Sequence, residues 1–157
     1  MKFQGRLSRS AALAGLCVSL VGGFEGLRTV AYSDPVGIPT ICFGETRDVH
    51  LGEHKTSAEC GAMLVSRLAE FEAGMAQCLK PQVPDKTYAA LLSFTYNVGT
   101  AAFCGSTLVK KANAGDLIGA CNELPKWNRA AGIALAGLTA RRGEERVLCL
   151  EGLGVTP

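Results

Sequence analysis

Residues 22–46 read GGFEGLRTVAYSDPVGIPTICFGET, and two of its acids, Glu25 and Asp34, raise the first question about the chain. Apart from Tyr32 and Cys42, the only other ionisable side chain between Phe24 and Glu45 is Arg28. Glu25 follows an apolar run and precedes Gly26-Leu27, which places it near the C-terminal end of a helix. Burial among apolar neighbours disfavours a charged carboxyl, and the negative end of a helix acts in the same direction. Glu25 is therefore expected to keep its proton near neutrality and to donate it. Asp34 stands in a polar turn between Ser33 and Pro35, where it is expected to stay ionised. One neutral acid beside one charged acid is the arrangement that cleavage of a glycosidic bond uses. Thr40 lies across the turn from Asp34, where its hydroxyl can orient a water molecule. A helix-end acid, a turn aspartate and a strand threonine also occur without such chemistry, so spacing alone leaves both readings open.

GLRTVAYSD and IPTICFGET are β-rich runs separated by PVG, and Pro35, Gly37 and Pro39 suit turns and strand ends. A small hairpin or three-stranded sheet is expected over about residues 28–50. The following RDVHLGEHK reads as an exposed polar loop. His50 and His54 flank Glu53 there, but Gly52 and the missing helical period speak against a metal site. A capping box, Thr56 to Glu59, opens a long helix with Met63, Leu64, Leu68, Phe71 and Met75 on one face. PQVPD ends it. KTYAALLSFTYNVG is apolar nearly all round, as a buried central helix should be. Two shorter helices break at Gly115 and Pro125, and GLTARRGEERVLCLEGLG is the last. The expected fold class is α+β: a β subdomain over about 28–50 and a helical lobe over about 56–152.

At 157 residues, 48% of them hydrophobic, the chain is long enough for one domain with a proper core. Its formal charge of +2 and its lack of a basic run with interleaved aromatics give no case for nucleic acid. A mild positive balance suits an anionic polymer as substrate. Seven cysteines are spread singly, with no C-x-x-C and no Cys/His cluster, which argues against zinc. They read either as disulfide partners in an oxidising compartment or as buried apolar thiols, and the odd count leaves one over. The N-terminus carries Lys2, Arg6 and Arg9, then 14 uncharged residues, AALAGLCVSLVGGF. That is the charge order of an export signal, although a spanning helix needs about 20 residues. Residues 1–24 are set apart from a catalytic domain over 25–157, as an uncleaved anchor or as a first helix packed on the core.

Residues 24–46 closely resemble the active-site signature of the phage-type lysozymes (endolysins, glycoside hydrolase family 24). Glu25-Gly26-Leu27-Arg28, Tyr32-Ser33-Asp34 and Thr40 match the family's intervals without a gap. TSAEC, SFTYNVGT, STLVKKANAGD, GACNELPKW and GLTARRGEER extend the similarity over about residues 15–152. The resemblance implies a muramidase that hydrolyses the β-1,4 bond between N-acetylmuramic acid and N-acetylglucosamine in peptidoglycan, as a monomer without cofactor or metal. By position it makes Glu25 the general acid and gives Asp34 and Thr40 the attacking water. It also implies inversion, with carboxyls roughly 6.5–9.5 Å apart. A lytic transglycosylase, or a relative that binds glycan without cleaving it, are the alternatives; Asp34 and Thr40 speak against the first.

Carried over the same way, Arg142 supports the catalytic glutamate, with Arg141 as its substitute in register. Asn97 lines the sugar cleft or caps the central helix. Where the family often pairs a histidine with an aspartate, this sequence has Glu45 and Arg67, expected as the same pair with charges exchanged or else as two independent surface charges. The family's order of elements brings Cys42 near Cys60, Cys78 near Cys104 and Cys121 near Cys149, leaving Cys17 alone. The Gly/Ala-rich N-terminal segment resembles the signal-anchor-release subgroup, implying export to the bacterial periplasm and a tether to the inner membrane before release.

Overall fold

The computed structural model describes residues 3–157, so Lys2 of the basic N-terminus lies outside the described residues. A single turn, α1 (Arg6–Arg9), leads into α2 (Ala11–Glu25), whose first turn is capped by the Ser10 side chain accepting from the Leu13 N–H. Three glycines in α2 each cost about 1 kcal/mol relative to alanine, so the helix depends on packing. That packing is present: Leu13, Cys17 and Val21 are buried in the main core. Residues 11–25 are thus one helix docked on the body of the protein. Gly22 permits its closest approach, since a Cβ there would lie 2.9 Å from the Phe43 ring.

The helix ends at Gly26, whose φ of 77° is open to glycine and strained for other residues. Two residues later the chain enters a hairpin, β1 (Arg28–Ser33) and β2 (Pro39–Cys42), antiparallel with Tyr32 opposite Thr40. The expected β unit is therefore a hairpin. A third strand is reduced to a bridge between Val30 and His54, flanked by Ala31 N–H to Glu53 O at 2.8 Å. Residues 46–53 lack the alternation that would extend it. A small second core, Ala31, Ile41, Cys42, Val49 and Cys60, fills the hairpin's inner face.

The expected capping box opens α3 (Ser57–Ala76), with both the Thr56 and Glu59 side-chain bonds formed. The central helix α4 (Asp85–Val98) is buried continuously from Thr87 to Thr95 and packs most extensively against α8 (Ala136–Gly152). Between them run α5 (Thr100–Cys104), α6 (Thr107–Asn113), α7 (Leu117–Glu123) and a 3-10 turn over Leu124–Lys126. One element went unforeseen. A ribbon of β3 (Arg129–Ala130) and β4 (Ile133–Ala134) turns through Ala131 and Gly132, both at positive φ. Its Ala-Gly turn lacks the Asn or Asp that usually marks such a hairpin.

All three expected disulfides are present. Cys42–Cys60 ties β2 to the start of α3, Cys78–Cys104 joins the end of α3 to α5, and Cys121–Cys149 joins α7 to α8. Cys17 is free and buried. The Cys121–Cys149 loop spans 28 residues, for which chain entropy gives about 3.6 kcal/mol. Thiol labelling of denatured, unreduced protein should therefore modify Cys17 alone, and Cys121→Ser with Cys149→Ser should lower stability by about that amount. Labelling at any of the six paired positions would contradict this bonding.

Candidate active site

Glu25 is the last residue of α2, delivered to its place by the left-handed turn at Gly26. Its side chain is 28% exposed and its Oε1 accepts from Arg141 Nη1 at 2.8 Å. The expectation of a carboxyl shielded by apolar neighbours is therefore corrected: Glu25 is half open to solvent and partnered by a cation.

Arg141 is held on all sides. Its Nε donates to Glu145 Oε1 at 3.2 Å, Nη2 donates to the Ser93 carbonyl at 3.3 Å, and the guanidinium lies 4.7 Å from the Phe24 ring centre. Ser93 Oγ donates to the same Glu145 oxygen at 2.7 Å. Three elements, α2, α4 and α8, thus meet in one buried polar cluster.

Arg142, expected beside the catalytic glutamate, is instead fully buried and turned toward Glu145. Its Nη2 donates to Glu145 Oε1 at 3.0 Å, and its Nε sits 2.7 Å from Oε2 without the alignment of a hydrogen bond. Successive helical residues point about 100° apart, so only one of the two arginines can face α2. Burial pushes the Glu145 carboxyl up and the Arg142 guanidinium down, and their mutual attraction opposes both shifts. Glu145 and Ser93 were not singled out in the sequence. The i, i+3 and i, i+4 spacing of Arg142 and Arg141 to Glu145 was the signal for the first.

On the hairpin, Asp34 folds its own turn. Oδ1 accepts from Val36 N–H at 2.9 Å and Ile38 N–H at 2.8 Å, while the Asp34 N–H donates to Ile38 O at 3.0 Å. Among the described residues, all the carboxylate's bonds run through Oδ1, which leaves Oδ2 to accept from water. Thr40 is buried, and its hydroxyl donates to Ile38 O at 3.0 Å. Its proton is committed, so Thr40 can hold a water only by its lone pairs.

The Glu45–Arg67 pair does not form. Glu45 Oε1 accepts from the Thr46 and Arg47 N–H groups, both at 2.9 Å, and so caps the turn after β2. Arg67 bonds Glu70 Oε2 at 2.7 Å, one helical turn away, and Glu70 also receives a two-pronged contact from Arg47. A neighbour on the same helix costs less side-chain ordering than one across the cleft. Glu45 and Arg67 nevertheless line one recess of about 100 Å³ with Phe43, Met63 and Tyr96. Burial first, then the Glu25 and Glu45 carboxylates, push the Tyr96 hydroxyl up. Tyr96 thus lies within the field of both acids, a placement that helical periodicity alone did not show. Asn97 is exposed near the end of α4, and the cap there is the Gly99 N–H on Thr95 O, so Asn97 is not the cap.

The description "Phage lysozyme" belongs to the family model that matches residues 22–145. A SAR-endolysin of Enterobacteria phage PA-2 is 43% identical over 131 residues, 83% of this chain and 79% of that protein. The endolysin from Escherichia coli O157:H7 phage FAHEc1 superposes with a TM-score of 0.81 at 31% identity, covering 99% of both chains. The active form of the P1 phage endolysin Lyz gives 0.77 at 30% identity, covering 88% of this chain and 84% of that one. The secreted inactive form of that protein gives 0.57 at 25%, covering 88% and 95%.

The two arginines should separate on substitution. Arg142→Met leaves Glu145 half-compensated in the core and should cost about 3–5 kcal/mol in denaturant unfolding. Arg141→Met should instead lower kcat by roughly tenfold, through loss of the charged bond that holds Glu25. Equal losses of kcat for the two would contradict this division. Across the cluster's three helices and the hairpin, the matched residues place the chain in the phage lysozyme family.

Proposed function

We propose that this chain is an endolysin: a muramidase that hydrolyses the β-1,4 bond between N-acetylmuramic acid and N-acetylglucosamine in bacterial peptidoglycan and so lyses the host. Glu25 is the general acid that protonates the leaving oxygen. Asp34 is the base, and Thr40 helps it hold the attacking water. Asn97 and the recess lined by Glu45, Arg67 and Tyr96 contact the glycan.

The observation that carries this reading is the state of the Asp34 and Thr40 oxygens. Each has its bond to the protein already made, through Oδ1 and through the hydroxyl proton. What remains on both is acceptor capacity. A water giving its two protons to Asp34 and Thr40 presents a lone pair to the sugar, and as it attacks Asp34 takes a proton. Glu25 must carry a proton when the glycosidic oxygen leaves. A lytic transglycosylase needs no such seat for water.

The chain is exported to the periplasm, and residues 1–24 are an uncleaved anchor that releases from the inner membrane. Among the described residues, no helix is long and apolar enough to cross a membrane. At 15 residues, α2 reaches about 22 Å against a hydrocarbon core of about 30 Å. Such a segment holds to a bilayer only weakly, as a reversible anchor must.

Turbidity loss on purified cell walls tests the assignment. Glu25→Gln should abolish lysis while leaving the fold intact. Asp34→Asn should reduce it at least about a hundredfold. Lysis at wild-type rate by either variant would refute these roles, and a 1,6-anhydro product would establish the transglycosylase instead.

A further inference from the structure

Glu72 is a buried acid that the chemistry does not use. It lies in the last third of α3 and is 1% exposed. Among the described residues, no cation neutralises it directly. Its Oε1 accepts from the Arg6 N–H at 2.6 Å, the Leu7 N–H at 3.1 Å and the Tyr88 hydroxyl at 2.8 Å. Two of these three donors belong to the amino-terminal turn. Gly5 is shaped to the same carboxylate, since a Cβ there would fall 1.8 Å from Oε2. Arg6 completes the contact: Nη1 donates to Val83 O at 2.7 Å, Nη2 bonds Asp85, and the guanidinium lies 4.2 Å from the Tyr88 ring centre. Leu7 is buried beside them.

We propose that Glu72, Tyr88 and Asp85 form a clasp for residues 5–7 that sets the register of α2 and thereby positions Glu25. The apolar face of α2 is a poor ruler. Leu13, Cys17 and Val21 repeat every four residues, and a slide of one turn, about 5.4 Å, presents a similar stripe to the core. Polar contacts with fixed geometry do not tolerate such a slide; setting register is the best-attested use of buried polar groups. Ser10 transmits the constraint, because its cap joins the clasped turn to α2 without a flexible link. Glu72 is a positioning residue, acting through about 22 Å of helix on the acid at the other end.

Resting on the reading of residues 1–24 as an anchor, the clasp also gives release a direction. While those residues lie in a bilayer, Glu72 keeps only the Tyr88 bond from its three. Return of Gly5, Arg6 and Leu7 restores the other two and adds the Arg6 fork. Active geometry and membrane exit are then coupled through one carboxylate.

The experiment uses the full-length chain and two readouts. The first is kcat and KM on purified cell walls, measured well below the unfolding temperature. The second is the soluble fraction of the protein in cells before and after an uncoupler collapses the membrane potential. Glu72→Gln and Gly5→Ala should each lower kcat by about tenfold with KM unchanged, and lower the released fraction by a similar factor. Arg6→Lys, which keeps the positive charge, and Tyr88→Phe should fold normally and give smaller losses of the same kind. Wild-type kcat in folded Gly5→Ala, Arg6→Lys and Tyr88→Phe would overturn the clasp. A merely stabilising role would lower Tm and leave kcat intact, which also overturns it. A wild-type protein that never partitions to membrane would refute the anchor, while the kcat measurements still judge the clasp.

Discussion

The ion pair between Glu25 and Arg141 joins residues 116 apart in sequence, and most of the structure can be understood as what brings them to 2.8 Å. One partner ends the first long helix and the other sits in the first half of the last. Neither helix reaches that point by local propensity. The glycines of α2 weaken it as an isolated helix, and α8 starts without a side-chain cap. Both are held by α4, whose buried face they share. The central helix therefore does more than fill space: Ser93, in its middle, bonds Glu145 and offers its carbonyl to Arg141.

A buried cluster of two arginines and a glutamate is a costly way to hold two helices together, and an apolar replacement of the same shape would serve stability as well or better. Its use is directional. Arg142 balances Glu145, Glu145 orients Arg141, and Arg141 meets Glu25 where the protein opens to solvent. The hairpin brings the opposing chemistry by a different route. Its turn is built from Asp34 itself, whose carboxylate satisfies two backbone N–H groups, so the proposed base is also the residue that shapes the loop. Cys42–Cys60 then fastens that hairpin to α3.

Much of this was legible in the sequence because it depends on local chemistry. The capping box at Thr56 and Glu59, the turn at Asp34 and the buried α4 follow from spacing and residue type. The cysteine pairs and catalytic trio came from resemblance to the phage lysozymes, and no count of spacings would have chosen among the cysteine pairings. The failures are of another kind. Whether Arg141 or Arg142 faces Glu25 depends on the rotation of α8 about its axis, a difference of about 100° that periodicity cannot resolve between adjacent residues. Glu45 and Arg67 stand near one recess, but each found a closer partner: a backbone turn for one and a helical neighbour for the other. The apolar shielding expected of Glu25 failed because it was read from the neighbours in its own helix, whereas its partner Arg141 comes from a helix 116 residues away and was pointed to only by the resemblance.

The proposed reaction depends on a water held between Asp34 and Thr40 that attacks the sugar from the face opposite Glu25. Proton NMR of the first product formed from a defined β-linked peptidoglycan oligosaccharide tests this directly, before mutarotation mixes the anomers. Attack by that water gives the α-anomer first. Initial release of the β-anomer would mean a covalent or otherwise double displacement, and would contradict the roles assigned to Asp34 and Thr40.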